Sequence, residues 1–140
     1  MRIKALHKNF LMPTKGTDGA GAFDIYMPEA GDSSDHLYGF TGLGFSAEVP
    51  KGHVALILPR SSAGAKYGVE LNNTCGVIDS DYRGEWKAVI RTKNSELFQW
   101  DQGDRVLQFM IVPVADVTPE LVDELDVTER GSGGFGSSGK

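Results

Sequence analysis

Val77 to Thr92 reads VIDSDYRGEWKAVIRT and predicts two β-strands joined by a polar turn. Apolar residues recur at alternate positions in its second half, as in a half-buried strand from Glu85 to Thr92. The turn between the strands carries Asp79, Asp81 and Gly84, which are residue types that favour turns. We therefore expect Val77 and Ile78 to pair with the second strand as a hairpin.

Strand-like segments of the same kind recur along the chain, at His53 to Leu58 and at Arg105 to Val114. Eighteen glycines and closely spaced turn signals separate such segments. The pattern predicts an all-β fold, a jelly-roll-like β-barrel or sandwich. At most two short helical turns are expected, one near Ser61 to Lys66 and one after Pro119.

Length and composition limit the possible classes of protein. A chain of 140 residues with 40% hydrophobic content fits one domain with one core. The net charge of −5 argues against a nucleic-acid-binding surface. We find no apolar run long enough to cross a membrane and no signal-peptide pattern, so a soluble, intracellular protein is expected. The single cysteine, Cys75, excludes an internal disulfide and is expected to be a buried, inert thiol.

The composition changes at Glu129, after which the chain reads RGSGGFGSSGK. This segment has one aromatic and no aliphatic side chain, so it cannot pack a core. We predict a β domain at residues 1–128 and a flexible glycine-rich arm at residues 129–140. The arm matches two glycine-rich phosphate-binding patterns, but neither is followed by the required helix. Its N–H groups, hydroxyls and cations could nevertheless wrap a phosphate chain, and Phe135 could lie over a flat ligand.

Asp79 directly follows a predicted strand, a position that can hold a carboxylate beside a substrate. The same sequence also fits an ordinary solvated turn, and the segment alone does not decide between them.

Three other segments carry candidate functional side chains. Arginine and hydroxyl groups at Arg60, Ser61 and Ser62 suit phosphate oxygens, although a surface ion pair and a helix cap would explain them equally well. Asp104, Arg105 and Gln108 form a similar polar group, whose alternative is an ion pair at the start of a strand. Asp24 lies within an apolar alternation and therefore needs a partner or a metal-bound water. The three histidines show no metal-ligand spacing. Asp32, Asp35 and His36 superficially suggest a metal site, but no further ligand is clustered with them, so a solvated loop is expected.

Five segments occur in an order that resembles the trimeric dUTPase (deoxyuridine triphosphatase) family over nearly the whole chain. They are GAFDI (residues 21–25), PRSSAGAKYG (59–68), NNTCGVIDSDYRGE (72–85), GDRVLQFMIVPV (103–114) and RGSGGFGSSG (130–139). Two departures are modest. Gly21-Ala22 replaces the commoner Ala-Gly, and Cys75 occupies a variable position.

The resemblance implies hydrolysis of dUTP to dUMP and pyrophosphate, which keeps uracil out of DNA and supplies dUMP. Asp79 would deprotonate the water that attacks the α-phosphorus. Tyr82 would pack on the deoxyribose and exclude a 2'-hydroxyl. A hairpin pocket would read the uracil edge through Asn73, Val77, Ile78 and Lys87.

The resemblance also assigns the phosphate contacts. Arg60, Ser61, Ser62 and Gln108 would hold the α- and β-phosphates. The arm would close over the substrate as a lid, with contacts from Arg130, Phe135, Gly136, Ser137 and Ser138. Mg²⁺ would arrive on the phosphates without direct protein ligands, and Asp24 would act through water or by ordering the site.

A homotrimer with sites shared between subunits is implied as well, because five motifs on one short chain cannot easily surround a nucleotide. Two alternatives remain open. A dCTP deaminase of the same fold would need a glutamate in the strand after the third motif, where Val89 stands. A non-catalytic nucleotide-dependent signalling module would bind nucleotide without turnover, although Asp79 is intact.

Overall fold

The computed structural model describes residues 1–33, 39–93 and 96–134. In those residues the chain forms short strands and one helix, as the sequence predicts. The strands are β1 (Ile3–Ala5), β2 (Phe23–Ile25), β3 (Gly31–Asp32), β4 (Thr41–Gly42), β5 (Phe45–Ala47), β6 (His53–Pro59), β7 (Val69–Leu71), β8 (Gly76–Ile78), β9 (Lys87–Ala88), β10 (Ile90–Thr92), β11 (Gln99–Trp100) and β12 (Leu107–Pro113). The helix, α1 (Ser61–Tyr67), lies between β6 and β7.

A four-stranded antiparallel sheet in the order β2-β12-β6-β8 forms the centre of the molecule. Its two long members, β6 and β12, pair along seven residues, from Leu107 opposite Pro59 to Pro113 opposite His53. Two-stranded pairs complete the fold: β1 with β5, β3 with β11, β4 with β9 and β7 with β10. The chain is therefore all-β with a jelly-roll architecture, as predicted.

The core is built around aromatic side chains. Trp86 is fully buried and lies 5.0 Å from Phe45 and 5.1 Å from Phe109, ring centroid to centroid. Ala88 and Ile90 are buried while Lys87 and Arg91 are exposed, which confirms the alternation predicted for this segment.

The predicted hairpin between Val77-Ile78 and Glu85–Thr92 is wrong. Strand β8 pairs with β6, and the following segment forms two short strands that pair with β4 and β7. The physical reason lies at Trp86, whose backbone N–H donates to the Phe45 carbonyl and whose backbone carbonyl accepts from the Leu43 N–H, both at 2.9 Å. These contacts draw the chain after the turn onto a different part of the core.

The helix predicted near Ser61 is confirmed, and it ends at Gly68 with a left-handed φ of 65°. The helix predicted after Pro119 is wrong, because no helical residue lies between Pro113 and Gly134. Its apolar side chains have no core to pack on, since Leu121 and Leu125 are 100% and 86% exposed. An isolated short helix is unstable in water without such packing. No helix in the described part of the chain is long and apolar enough to span a membrane.

Candidate active site

A buried carboxylate on the central sheet holds two arginines. Asp24 lies in β2 and is 7% exposed. Its Oδ1 lies 2.8 Å from Arg60 Nε and its Oδ2 lies 3.1 Å from Arg105 Nη1. Burying a carboxylate is unfavourable unless it is paired, so the two ion pairs offset the cost of burying Asp24. We call Asp24, Arg60 and Arg105 the Asp24 cluster.

The structure identifies the ion-pair partners that the sequence left open. Arg60 pairs with a buried carboxylate and not with one on the surface. Arg105 pairs with Asp24, whereas its neighbour Asp104 accepts the backbone N–H of Asp101 at 2.9 Å. The alternative reading, an ion pair at the start of this strand, thus corresponds to a pair between Arg105, two residues before β12, and Asp24 in the adjacent strand β2.

Other polar side chains lie beside the cluster. Gln108 is opposite Asp24 in the β2–β12 register, and its Nε2 donates to the Pro59 carbonyl at 3.1 Å. Arg60, Ser62 and Arg105 line a cavity of about 600 Å³. Ser61 and Ser62 are exposed, and the N-cap residue of α1 is Arg60, which makes no side-chain capping bond. The Ser62 hydroxyl therefore lies in the same cavity as two cations, an arrangement suited to an anion, whereas Ser61 is exposed but is not among the described residues that line the cavity.

A second group of predicted residues lines a different groove. Strand β8 ends at Ile78, and the exposed Asp79 follows it directly. A groove of about 260 Å³ is lined by Phe40, Val77, Ile78, Asp79, Tyr82, Glu85 and Lys87. We call it the Asp79 groove. It combines an accessible carboxylate with an aromatic and aliphatic wall, so it suits a partly apolar ligand at which a base is needed.

Hydrogen bonds hold the turn that carries Asp79. Arg83 Nη1 donates to the carbonyls of Ser80 at 2.8 Å and Tyr82 at 3.0 Å. The Tyr82 hydroxyl donates to the Glu85 carbonyl at 3.1 Å. A Cβ on Gly84 would overlap the Tyr82 phenol, so a glycine is required for this ring position. Asp79 and Tyr82 therefore stand in a fixed relation within an exposed turn.

Two groove residues were missed from the sequence, and one predicted residue lies elsewhere. Phe40 and Glu85 line the groove, although neither was a candidate site residue in the sequence analysis. Asn73 is exposed in the turn before β8 and is not among the described residues that line the groove. Cys75 is half-buried, with its Sγ 3.7 Å from the Gly76 carbonyl oxygen, and is less enclosed than expected.

The two groups of residues do not meet within one chain. Ile78 is opposite Ala55 on β6, and Arg60 follows five residues later along the same direction. At about 3.3 Å per residue, the backbones of Ile78 and Arg60 are roughly 16 Å apart. Because β6 and β8 are antiparallel, Asp79 lies farther still from Arg60.

The arm is described only in part. Arg130 Nε donates to the Gly133 carbonyl at 2.8 Å, and Gly131 has a positive φ of 50°. Both side chain and turn are exposed and away from core packing. The predicted ligand contacts at Phe135, Gly136, Ser137 and Ser138 lie outside the described residues, as do Asp35 and His36. Among the described residues, no group of three or more His, Cys, Asp or Glu side chains could hold a metal ion.

Replacing Asp24 with asparagine should destabilise the fold and weaken anion binding together. The neutral amide cannot compensate two guanidinium groups, and losing hydrogen bonds to charged partners typically costs about 1 to 3 kcal/mol. Urea unfolding measures the change in the free energy of unfolding. Glu48→Gln is a matched control, because it alters an ion pair with Arg2, whose side chain is 87% exposed. Equal stability losses in both variants would contradict a special role for Asp24.

Comparison with known proteins gives consistent matches over almost the whole chain. A family model described as dUTPase matches residues 8–139. A deoxyuridine 5'-triphosphate nucleotidohydrolase of Paraburkholderia phymatum is 46% identical, with 92% of this chain and 89% of that protein covered. One from Candida albicans is 40% identical, with 92% and 81% covered. Among solved structures, a Staphylococcus bacteriophage 80alpha dUTPase with dUPNHPP has a TM-score of 0.86 at 25% identity, with 99% of this chain and 98% of that chain covered.

Proposed function

The chain belongs to the dUTPase family and hydrolyses dUTP to dUMP and pyrophosphate, and we propose that the Asp24 cluster and the Asp79 groove together form the site of this reaction. The observation that carries the proposal is that the Asp24 cluster and the Asp79 groove offer different and complementary chemical groups to a ligand. The Asp24 cluster lies at a cavity that presents two cations and the Ser62 hydroxyl to an anion, and the Asp79 groove presents an accessible carboxylate beside an apolar wall. A nucleotide needs both kinds of surface.

In the proposed reaction Asp79 is the general base. Its carboxylate takes a proton from a water molecule, and the water oxygen forms a bond to the α-phosphorus. The bond from that phosphorus to the oxygen bridging to the β-phosphorus breaks, and pyrophosphate leaves. Arg60 and Gln108 hold the phosphates with Ser61 and Ser62, so that the charge on the leaving group is stabilised by fixed donors.

The nucleoside is proposed to bind in the Asp79 groove. The Tyr82 ring would lie against the deoxyribose and leave no space for a 2'-hydroxyl. Backbone groups near Val77, Ile78 and Lys87 would read the uracil edge, and a wrong base would leave buried polar groups unpaired. Asn73, in the turn before β8, is proposed to contribute to the same pocket, and it is not among the described residues that line the groove.

Mg²⁺ is the proposed cofactor, and it would be bound mainly by the substrate phosphates. Asp24 is the carboxylate of the phosphate-binding cluster, and each of its oxygens is already within 3.1 Å of an arginine nitrogen. This arrangement fits an Asp24 that orders the arginines and contacts the ion, if at all, through water. The ion would supply further neutralisation of phosphate charge when bound.

We propose that a neighbouring subunit supplies one of the two groups of residues. The separation of roughly 16 Å along β6 is too large for Asp79 and Arg60 of one chain to act on the same α-phosphate. A homotrimer would provide three such shared sites. The exposed apolar residues after β12 favour contact with another copy, and they include Val117, Leu121, Leu125 and Val127. From there the arm would reach a site, with Arg130 on the γ-phosphate, Phe135 over uracil, and Gly136, Ser137 and Ser138 closing around the phosphates.

The experiment that tests the function is pyrophosphate release from dUTP in the presence of Mg²⁺, beside dCTP, dTTP and UTP. We expect turnover of dUTP and at least about 100-fold lower kcat/KM for the others, because a mismatched polar edge is strongly rejected. Ammonia release from dCTP would instead identify a deaminase. Tight dUTP binding without turnover would identify a nucleotide-binding module. Either result would overturn the hydrolase assignment.

A further inference from the structure

Phe40 has an exposed aromatic ring to which the proposed mechanism assigns no role. Its side chain is 72% exposed, more than any other described phenylalanine, tyrosine or tryptophan. An exposed phenylalanine contributes nothing to the core by its burial. The ring therefore either has no role or covers something that binds to the chain.

The position of Phe40 points to a ligand. The residue lines the Asp79 groove together with Val77 and Tyr82, which are themselves 57% and 44% exposed. Three neighbouring aromatic or aliphatic side chains are thus left open to solvent around the Asp79 carboxylate. Exposed apolar groups that converge on a groove with a catalytic group mark a binding surface.

The backbone that carries Phe40 is fixed to the rest of the groove. The next residue, Thr41, begins β4, which pairs with β9 so that Gly42 is opposite Lys87. Glu85 Oε1 accepts the Gly44 N–H at 3.1 Å. A Cβ on Gly42 would stand only 2.6 Å from that same carboxylate oxygen, so Glu85 packs closely against the Gly42 backbone. Phe40 therefore immediately precedes a strand that pairs beside Glu85 and Lys87, and it lines the groove next to them.

We infer that Phe40 is a further substrate-binding residue, which contacts the nucleoside part of dUTP and forms an apolar wall of the Asp79 groove. The inference rests on the proposed location of the nucleoside in this groove. A flat apolar ring suits a pyrimidine face or the carbon face of deoxyribose, and it makes no contact that charged phosphates would favour. Phe40 therefore contributes to nucleoside binding and not to phosphate binding.

The test compares Phe40→Ala with the wild-type protein. We expect KM for dUTP and Kd for dUPNHPP to rise about tenfold, within the range that loss of base–aromatic contact produces, while kcat changes less than about twofold. Inhibition by inorganic tripolyphosphate should be unchanged, because that anion has no nucleoside. Phe40→Tyr keeps the aromatic face and should restore wild-type KM. Leu11→Ala removes a different exposed apolar side chain and serves as the matched control.

The alternatives give different results. A KM that stays at the wild-type value in Phe40→Ala, with dUTP still hydrolysed, would overturn the inference and leave the proposed function intact. If the wild-type protein does not hydrolyse dUTP, the proposed function itself is overturned. Equal weakening of tripolyphosphate inhibition, a lower unfolding midpoint or altered oligomer mass by light scattering would show that Phe40 has a structural or assembly role, and would also overturn the inference.

Discussion

Replacing Asp79 with asparagine is expected to lower kcat for pyrophosphate release from dUTP by about 10² to 10⁴, the usual contribution of a placed general base. The amide is nearly isosteric with the carboxylate but cannot accept a proton from water at neutral pH. Asp79 is exposed at the end of β8, so its replacement removes no buried contact. The measurement is steady-state release of pyrophosphate at saturating dUTP with Mg²⁺.

Asp81→Asn is the matched control for this variant. Asp81 lies two residues away in the same exposed turn but is not among the residues that line the Asp79 groove. We expect it to retain wild-type kcat to within about twofold, as surface substitutions usually do. Binding of dUPNHPP should be nearly unchanged in both variants. A comparable loss of kcat in the two would assign the effect to the charge of the turn and refute Asp79 as the base.

Local patterns predicted the two long strands, β6 and β12, but not most of the short ones, and they could not predict which strands pair. The alternation around Trp86 and Ala88 identifies a half-buried strand because successive side chains of a strand point to opposite faces of the sheet. Such a pattern can be recognised from a short stretch of sequence. The partner of that strand depends on long-range contacts such as Trp86 with Phe45, which no local pattern contains. The hairpin predicted after Asp79 failed for this reason.

In the candidate site, too, the sequence identified individual residues but not their partners. Asp24 could be recognised from the sequence as a carboxylate that needs a partner, because it interrupts an apolar alternation. That the partners are Arg60 and Arg105 follows from the order of β2, β12 and β6 in the sheet. No sequence pattern identified Phe40 as a site residue. An aromatic residue next to a glycine-rich turn is as typical of a core strand as of a binding site.

Mixing two inactive variants should restore activity if the site is shared between subunits. Asp79→Asn removes the base but leaves the Asp24 cluster intact, while Arg60→Ala weakens phosphate binding but leaves the Asp79 groove intact. In a trimer assembled at random from equal amounts of both chains, roughly a quarter of the sites combine the intact groove of one with the intact cluster of the other. Co-expressed chains with two different affinity tags give mixed trimers that can be purified and assayed with dUTP.

Purification on both tags removes the trimers that contain only one kind of chain, so about one third of the sites in the purified mixed trimers are intact. The expected recovery is therefore roughly one third of wild-type kcat per site, from two parents that are each at least about 100-fold impaired. Co-expression of Asp79→Asn with the double variant Asp79→Asn/Arg60→Ala is the control and should recover nothing, since no chain then supplies the base. A site contained in one chain also predicts no recovery from the first mixture, because every chain carries one lesion. The roughly 16 Å between the backbones of Ile78 and Arg60 makes the shared site the expected result, because Asp79 and Arg60 must act on the same phosphate.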